Sequence, residues 1–256
     1  MKIRLLSDLH AEFYHKRGGF NTDLLNTRGE DVLVLAGDVG VGVTQVVDTF
    51  GSFLQHGAKQ IVYVTGNHEY YRSKVTEFDY ELELELAAYY PEVCWLRDGQ
   101  TSTIQGVDFM GGTLWTNFHE DPVAEKVSNA MIVDFKIING FSTKLAKHLY
   151  YTTVEGLKRS VREAGDNKKV VVTHFLPCDQ CTHPKYISGG YDPVNWYFAN
   201  DLHEFISDLD NAVWLFGHTH EPMQLRVGNT NLYSNPLGYP GEKQTGKFNQ
   251  DLLITV

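Results

Sequence analysis

Five short segments carry aspartate, asparagine and histidine in combinations that can hold metal ions. They are Asp8-Leu9-His10, Gly37-Asp38, Gly66-Asn67-His68-Glu69, Thr173-His174 and Gly217-His218-Thr219-His220. A carboxylate such as that of Asp38 has two oxygens and can bridge two ions. Asn67 offers an amide oxygen, and His174, His218 and His220 offer imidazole nitrogens. The two-residue spacing of Asp8 with His10, and of His218 with His220, lets each pair point the same way from a strand end. Gly37 allows the backbone before Asp38 to turn sharply and approach an ion. Mixed nitrogen and oxygen donors without thiolate suit manganese, iron, zinc or nickel better than calcium or a structural zinc site. The ligands suffice for two ions, and two ions side by side are a device for hydrolysing phosphate esters. Any one of these histidines alone reads more readily as a hydrogen-bonded strand-end residue; the metal reading rests on all five segments together.

Each segment follows an apolar run. Ile3 to Leu6 ends at Asp8, Val32 to Ala36 at Asp38, Ile61 to Val64 at Asn67, Val170 to Val172 at His174, and Val213 to Phe216 at His218. Such short runs suit strands buried on both faces. Between them, Thr44 to His56 places Val46, Val47, Phe50, Phe53 and Leu54 on one helical face and stops at Gly57. A second helix is expected from about Lys74 to Tyr89. A third is expected from Ser142 to Glu163, although Gly156 stands inside it. Short strands are expected at Cys94–Leu96, Thr103–Gln105 and Val107–Met110, with a turn at Gly106. Antiparallel strands are expected at Gln224–Val227, Asn231–Tyr233 and Leu252–Val256. Segments 118–139 and 177–200 lack clear periodicity and read as functional loops around a cleft. The expected organisation is one domain, residues 1–256, with two packed sheets flanked by helices.

The 256 residues are 42% hydrophobic and 21% charged, which excludes disorder and a coiled coil. No apolar run is long enough to cross a bilayer, and a strand begins at once after Met1, so a cytoplasmic enzyme is expected. Cys94, Cys178 and Cys181 cannot make a disulfide framework. A formal charge of −10 disfavours an extended nucleic-acid partner, though ions in a cleft would still attract one phosphate.

The order and wording of the five segments resemble the calcineurin-like metallophosphoesterase superfamily, in its bacterial and phage-type members. That pattern runs Asp-x-His, Gly-Asp, Gly-Asn-His-Asp/Glu, a lone His, then Gly-His-x-His, and every part of it is present between Asp8 and His220. The resemblance implies a four-layer α/β/β/α sandwich, with two mixed β-sheets and a dinuclear site at strand C-terminal ends. It implies one divalent ion held by Asp8, His10, Asp38 and His220. A second would be held by Asp38, Asn67, His174 and His218, with Asp38 bridging. Manganese is expected first, then iron, zinc or nickel. His68 would face the substrate and protonate the leaving oxygen or stabilise phosphoryl charge. Glu69 replaces the commoner aspartate and reads either as a support orienting His68 or as a solvated carboxylate. The expected chemistry is attack on phosphorus by a hydroxide shared between ions about 3.5–4 Å apart.

Four further features lie outside this pattern. Tyr70, Tyr71 and Arg72 can form a platform for a ring and a clamp for a second phosphate, or simply pack a loop. His15, Lys16 and Arg17 edge the cleft or form a solvated turn. Cys178 and Cys181, with His183 nearby, read as loop residues beside His174 more readily than as a zinc or redox site, because a structural zinc needs four ligands. Asn235-Pro236-Leu237-Gly238-Tyr239-Pro240-Gly241-Glu242 is similar to a stretch in related proteins that often has arginine where Leu237 stands, which removes one cationic contact. The leading function is a phosphodiesterase acting on a small phosphoester or nucleotide-like substrate. The alternatives are a phosphomonoesterase or protein phosphatase, a nuclease, and a scaffold without catalysis. The scaffold would be expected to lack ligands or His68, and none is missing.

Overall fold

The computed structural model describes residues 1–14, 19–187, 192–244 and 246–256. His15, Lys16 and Arg17 lie outside the described residues. Strands β1 (Lys2–Leu6), β2 (Val32–Ala36), β3 (Ile61–Val64) and β4 (Val93–Trp95) pair in parallel in that order. A hairpin of β5 (Gln100–Ile104) and β6 (Val107–Gly112) opens a second sheet. This continues with β7 (Lys168–Thr173), β8 (Ala212–Phe216), β9 (Met223–Val227) and β10 (Thr230–Ser234), in the spatial order β5-β6-β7-β8-β10-β9. In it, β6, β7, β8 and β10 are parallel, while β5 and β9 are antiparallel to their neighbours. β11 (Leu253–Thr255) returns to pair antiparallel with β1. Both sheets are therefore mixed.

Strand alternation divides the core. Val32 and Val34 of β2 join Ile3, Leu5, Val62 and Val64 in one cluster with Phe109, Val170, Val172 and Leu215 of the second sheet. The intervening Leu33 and Leu35 join Ile61 and Tyr63 in another cluster, with Val46, Phe50 and Phe53 of the helix Gly42–Gln55 and with Phe78 and Leu82 of the helix Val75–Tyr89. The second sheet turns Met110, Val171 and Trp214 to the corresponding outer cluster, where Val154 and Leu157 of the helix Thr143–Ala164 lie. The result is the expected helix–sheet–sheet–helix sandwich. Burying each large apolar side chain contributes roughly 1.5–3 kcal/mol, so the sandwich holds the strand ends firmly.

Gly156, an unusual residue inside a helix, has a packing reason. A Cβ there would lie 1.8 Å from the Asp98 carbonyl oxygen, so glycine lets the turn before β5 seat against the helix. The β5–β6 turn uses Gln105 (φ 50°) and Gly106 (φ 79°), both left-handed, as a tight hairpin requires. Segments 118–139 and 177–200 are not simply loops. Asp121 caps the helix Pro122–Met131 by accepting from the Val123 amide, and Asp134–Ile137, Pro184–Ile187 and Asn195–Phe198 are short helices. An aspartate followed by proline at the first helical position is a start signal. Among the described residues, no helix is long and apolar enough to cross a membrane.

Candidate metal centre

Asp8, His10, Asp38, Asn67, His68, His174, His218 and His220 meet just past the C-terminal ends of β1, β2, β3, β7 and β8. Asp8 (φ 52°), His10 (φ 50°), Asp38 (φ 53°), His218 (φ 65°) and His220 (φ 50°) all have left-handed backbones. Such a conformation costs on the order of 1–3 kcal/mol per residue and persists where the surroundings over-determine it. Here backbone amides do so. The His218 N–H donates to both Asp8 carboxylate oxygens, at 3.0 and 3.2 Å, and the His68 N–H donates to Asp38 Oδ1 at 2.9 Å. Gly66 is needed beside them, because a Cβ there would stand 2.2 Å from Asp38 Oδ1.

The potential ligand atoms fall into three groups, one of His10, Glu12 and His68 and two that share Asp38. Asp8, His10, Asp38 and His220 bring one atom each within 4.8 Å of one another, as do Asp38, His174 and His218, so Asp38 is common to both. Asn67 Oδ1 lies 3.2 Å from His174 Nε2, beside the second group. Ring nitrogens approach in pairs: His10 Nε2 and His220 Nε2 at 3.1 Å, and His174 Nε2 and His218 Nδ1 at 3.1 Å.

On three of these rings the other nitrogen has an oxygen partner. His10 Nδ1 is 3.1 Å from Glu12 Oε1, His174 Nδ1 donates to the Ala36 carbonyl at 2.9 Å, and His220 Nδ1 is 2.7 Å from Glu242 Oε2. A neutral ring that donates outward turns its remaining lone pair inward, the tautomer a metal-binding imidazole needs. The residues present therefore fit divalent ions.

The charges agree. Burial opposes ionisation of Asp38, but His174, His68 and His10 hold its carboxyl well below the usual range. Burial also opposes a charged ring, yet Asp38 and Asp8 pull His174 up to about 9, and Asp8 with Glu242 pulls His220 up to about 10. The cluster is thus rich in negative charge, which a cation can neutralise in place of protons.

His68 stands at the edge of the cluster. Its Nδ1 is 3.0 Å from Glu12 Oε1, its Nε2 is 3.3 Å from the Tyr239 hydroxyl, and its ring lies 4.2 Å from that of Tyr71. Burial lowers its pKa, but Asp38 and Glu12 outweigh this and raise it. One carboxylate, Glu12, thus holds both His10 and His68.

Glu69 does not orient His68. Its buried carboxylate accepts from the backbone amides of Asp38 (3.2 Å), Val39 (2.8 Å) and Gly66 (2.9 Å) and from the Tyr63 hydroxyl (3.0 Å), clamping the β2 and β3 loops together. Tyr70 is buried, with its hydroxyl on Thr65 and Asp79, so it cannot be a platform. Arg72 is exposed and does not line the cleft. The aromatic surfaces come instead from Tyr71 and from Tyr239, whose ring lies 4.5 Å from that of His10. Cys178 and Cys181 are free and buried with sulfurs 3.6 Å apart, and neither belongs to a converging ligand group among the described residues.

Sequence reasoning missed Glu12, Asp134 and the reach of Tyr239 and Glu242. The last two arrive because the Gly238 amide donates to the Asp8 carbonyl at 3.0 Å, hooking the stretch after β10 onto the first motif. Asp134 accepts from Asn67 Nδ2 at 3.0 Å, from the Tyr71 hydroxyl at 2.8 Å and from the Tyr197 hydroxyl. That bond turns the Asn67 amide oxygen toward His174. Asp134→Ala should weaken divalent-ion binding by the cluster by about 10–100-fold, the usual cost of losing the outer hydrogen bond that orients a ligating side chain. Titration calorimetry of metal-stripped protein would measure this, and unchanged affinity would mean that Asn67 needs no such support.

A family model described as calcineurin-like phosphoesterase matches residues 1–222. The chain belongs to the calcineurin-like phosphoesterase family. This is a metal-dependent family, in keeping with the converging ligands. Among curated proteins, the chain is similar to the uncharacterized protein L509 of Acanthamoeba polyphaga mimivirus, with 26% identity over 99% of this chain and 96% of the relative. Among solved structures, it is similar to the phosphopantetheinyl hydrolase PptH from Mycobacterium tuberculosis, with a TM-score of 0.68 and 15% identity over 93% of this chain and 90% of that one. At that identity, the likeness to PptH shows the calcineurin-like phosphoesterase fold alone.

Proposed function

We propose that this calcineurin-like phosphoesterase is a phosphodiesterase with two divalent ions, manganese foremost, and that residues 1–256 act as one unit. The observation that carries the reading is the sharing of Asp38 by two ligand groups with His68 beside it. Asp8, His10, Asp38 and His220 would hold one ion; Asp38, Asn67, His174 and His218 would hold the other. Bound there, divalent ions supply Lewis-acid charge for the phosphoryl oxygens and acidify coordinated water. The chain's own residues do the rest. Asp38 fixes the spacing of the two ligand groups, and Asp134 aims the Asn67 oxygen. Glu12 holds His68 through Nδ1, leaving Nε2 toward the cleft. When protonated, a form that Glu12 against Nδ1 favours, His68 would donate its Nε2 proton to the leaving alkoxide.

The diester preference is supported by what lines the cleft. Among its described lining residues there is no lysine or arginine, while Asp38, Asp134 and Glu242 are present. A monoester dianion would find no lysine or arginine for its second charge; a diester monoanion needs none. The test is a manganese-supplemented comparison of phosphomonoesters, linear and cyclic phosphodiesters, and oligonucleotides. The reading expects kcat/KM for a linear diester to exceed that for its matched monoester by at least about tenfold, a difference of ~1.4 kcal/mol. A preference for monoesters would overturn it.

A further inference from the structure

From the metal cluster outward, the cleft changes character. It encloses about 450 Å³, room for more than a phosphoryl group. Next to the histidines its walls are aromatic: the Phe198 ring is stacked 5.2 Å from His218, and Tyr71 lies 4.2 Å from His68. The lining also includes buried Leu176 and half-buried Ile132, with Met131, Val133 and Tyr186 where the cleft meets solvent. Met131 is 66% exposed, Val133 46% and Tyr186 43%. Large apolar side chains left in water around the mouth of a pocket mark a surface that an apolar group covers. Met131 and Val133 stand on the segment that also supplies Asp134 to the site, and Tyr186 stands on the helix Pro184–Ile187.

We infer that this outer cleft is a subsite for an uncharged alkyl or aryl arm of the phosphodiester substrate. The inference rests on the phosphodiesterase reading and narrows it. A nucleoside polyphosphate would bring further anionic charge into a cleft whose described lining offers acidic side chains and no lysine or arginine. An alkyl or aryl arm instead displaces water from Met131, Val133 and Tyr186, and these contacts need no ionic partner. Arm identity then governs binding, because the arm sits away from the atom that His68 protonates.

The test separates the arm from the chemistry. Manganese-loaded protein would be titrated calorimetrically with the methylphosphinates that carry a methyl, hexyl, benzyl or carboxypropyl arm, whose two P–C bonds leave no ester to hydrolyse. Hexyl and benzyl should bind at least about tenfold more tightly than methyl, the scale of one or more methylenes in a hydrophobic pocket, and carboxypropyl should bind no better than methyl. Met131→Lys, at an exposed helix end where a cation is tolerated, should reduce the benzyl advantage severalfold and improve carboxypropyl binding. Equal affinities across the series, or tightest binding of the carboxylate in the unmodified protein, would overturn the inference. A parallel assay with the methyl and benzyl esters of p-nitrophenyl phosphate shows whether the underlying reading holds. Turnover without the binding order overturns only the subsite. The binding order without turnover supports an apolar subsite and overturns the phosphodiesterase reading. Failure of both overturns both.

Discussion

Asp38→Asn is expected to abolish hydrolysis while leaving the fold intact. Asparagine keeps an oxygen for the His68 amide, which Asp38 Oδ1 accepts at 2.9 Å, so the loop retains its bond. It loses the negative charge common to the two ligand groups. Under the proposed mechanism that charge holds both ions, and losing it removes several kcal/mol of stabilisation from the phosphoryl transition state. At ~1.4 kcal/mol for each tenfold in rate, the fall in kcat/KM should be about a thousandfold or more. Metal content by elemental analysis should fall with it, whereas the thermal midpoint of the metal-stripped protein should change little. A variant that keeps both full activity and full metal content would remove Asp38 from the site.

His68→Ala should separate chemistry from metal binding. The His68 side chain lies outside the two groups that share Asp38, and its ring nitrogens face Glu12 and Tyr239. The variant should therefore bind metal as before and lose about 10²–10⁴-fold in turnover of alkyl esters, whose leaving oxygen needs a proton. Esters of p-nitrophenol, which leave without protonation, should suffer much less. Equal losses on both leaving groups would argue that His68 stabilises phosphoryl charge instead, and loss of metal would make it a ligand. Removing the ring also leaves Glu12 with one histidine partner, His10, so metal affinity measured on the same variant checks that the first ligand group has not shifted.

The strands were legible because they are buried on both faces, so their apolar runs are nearly unbroken; β2, Val-Leu-Val-Leu-Ala, is buried throughout. The eight residues at the cluster were legible because they end such strands in a fixed order. Their partners were not. Glu12 meets His68 across 56 positions and Asp134 meets Asn67 across 67, contacts that no local spacing announces. Glu69 misled because its place next to His68 suggests a shared task. A 3-10 turn over His68–Tyr70 instead carries its carboxylate to the amides of the β2 loop. Tyr70 and Tyr71 are adjacent and alike in type, yet the same turn buries one and leaves the other in the cleft. The helix Pro122–Met131 was legible in principle from Asp121-Pro122, but its buried residues are the small Ala124 and Ser128, while Val123 and Met131 are exposed, so no stripe of large apolar side chains marks it.

The most direct measurement is a manganese titration of chelator-stripped protein, following hydrolysis of bis(p-nitrophenyl) phosphate and bound metal together. The account predicts no hydrolysis above background in the stripped protein, and activity that rises as metal binds and levels off at two ions per chain. Hydrolysis at full rate in the stripped protein, or activity complete with one ion bound, would contradict it.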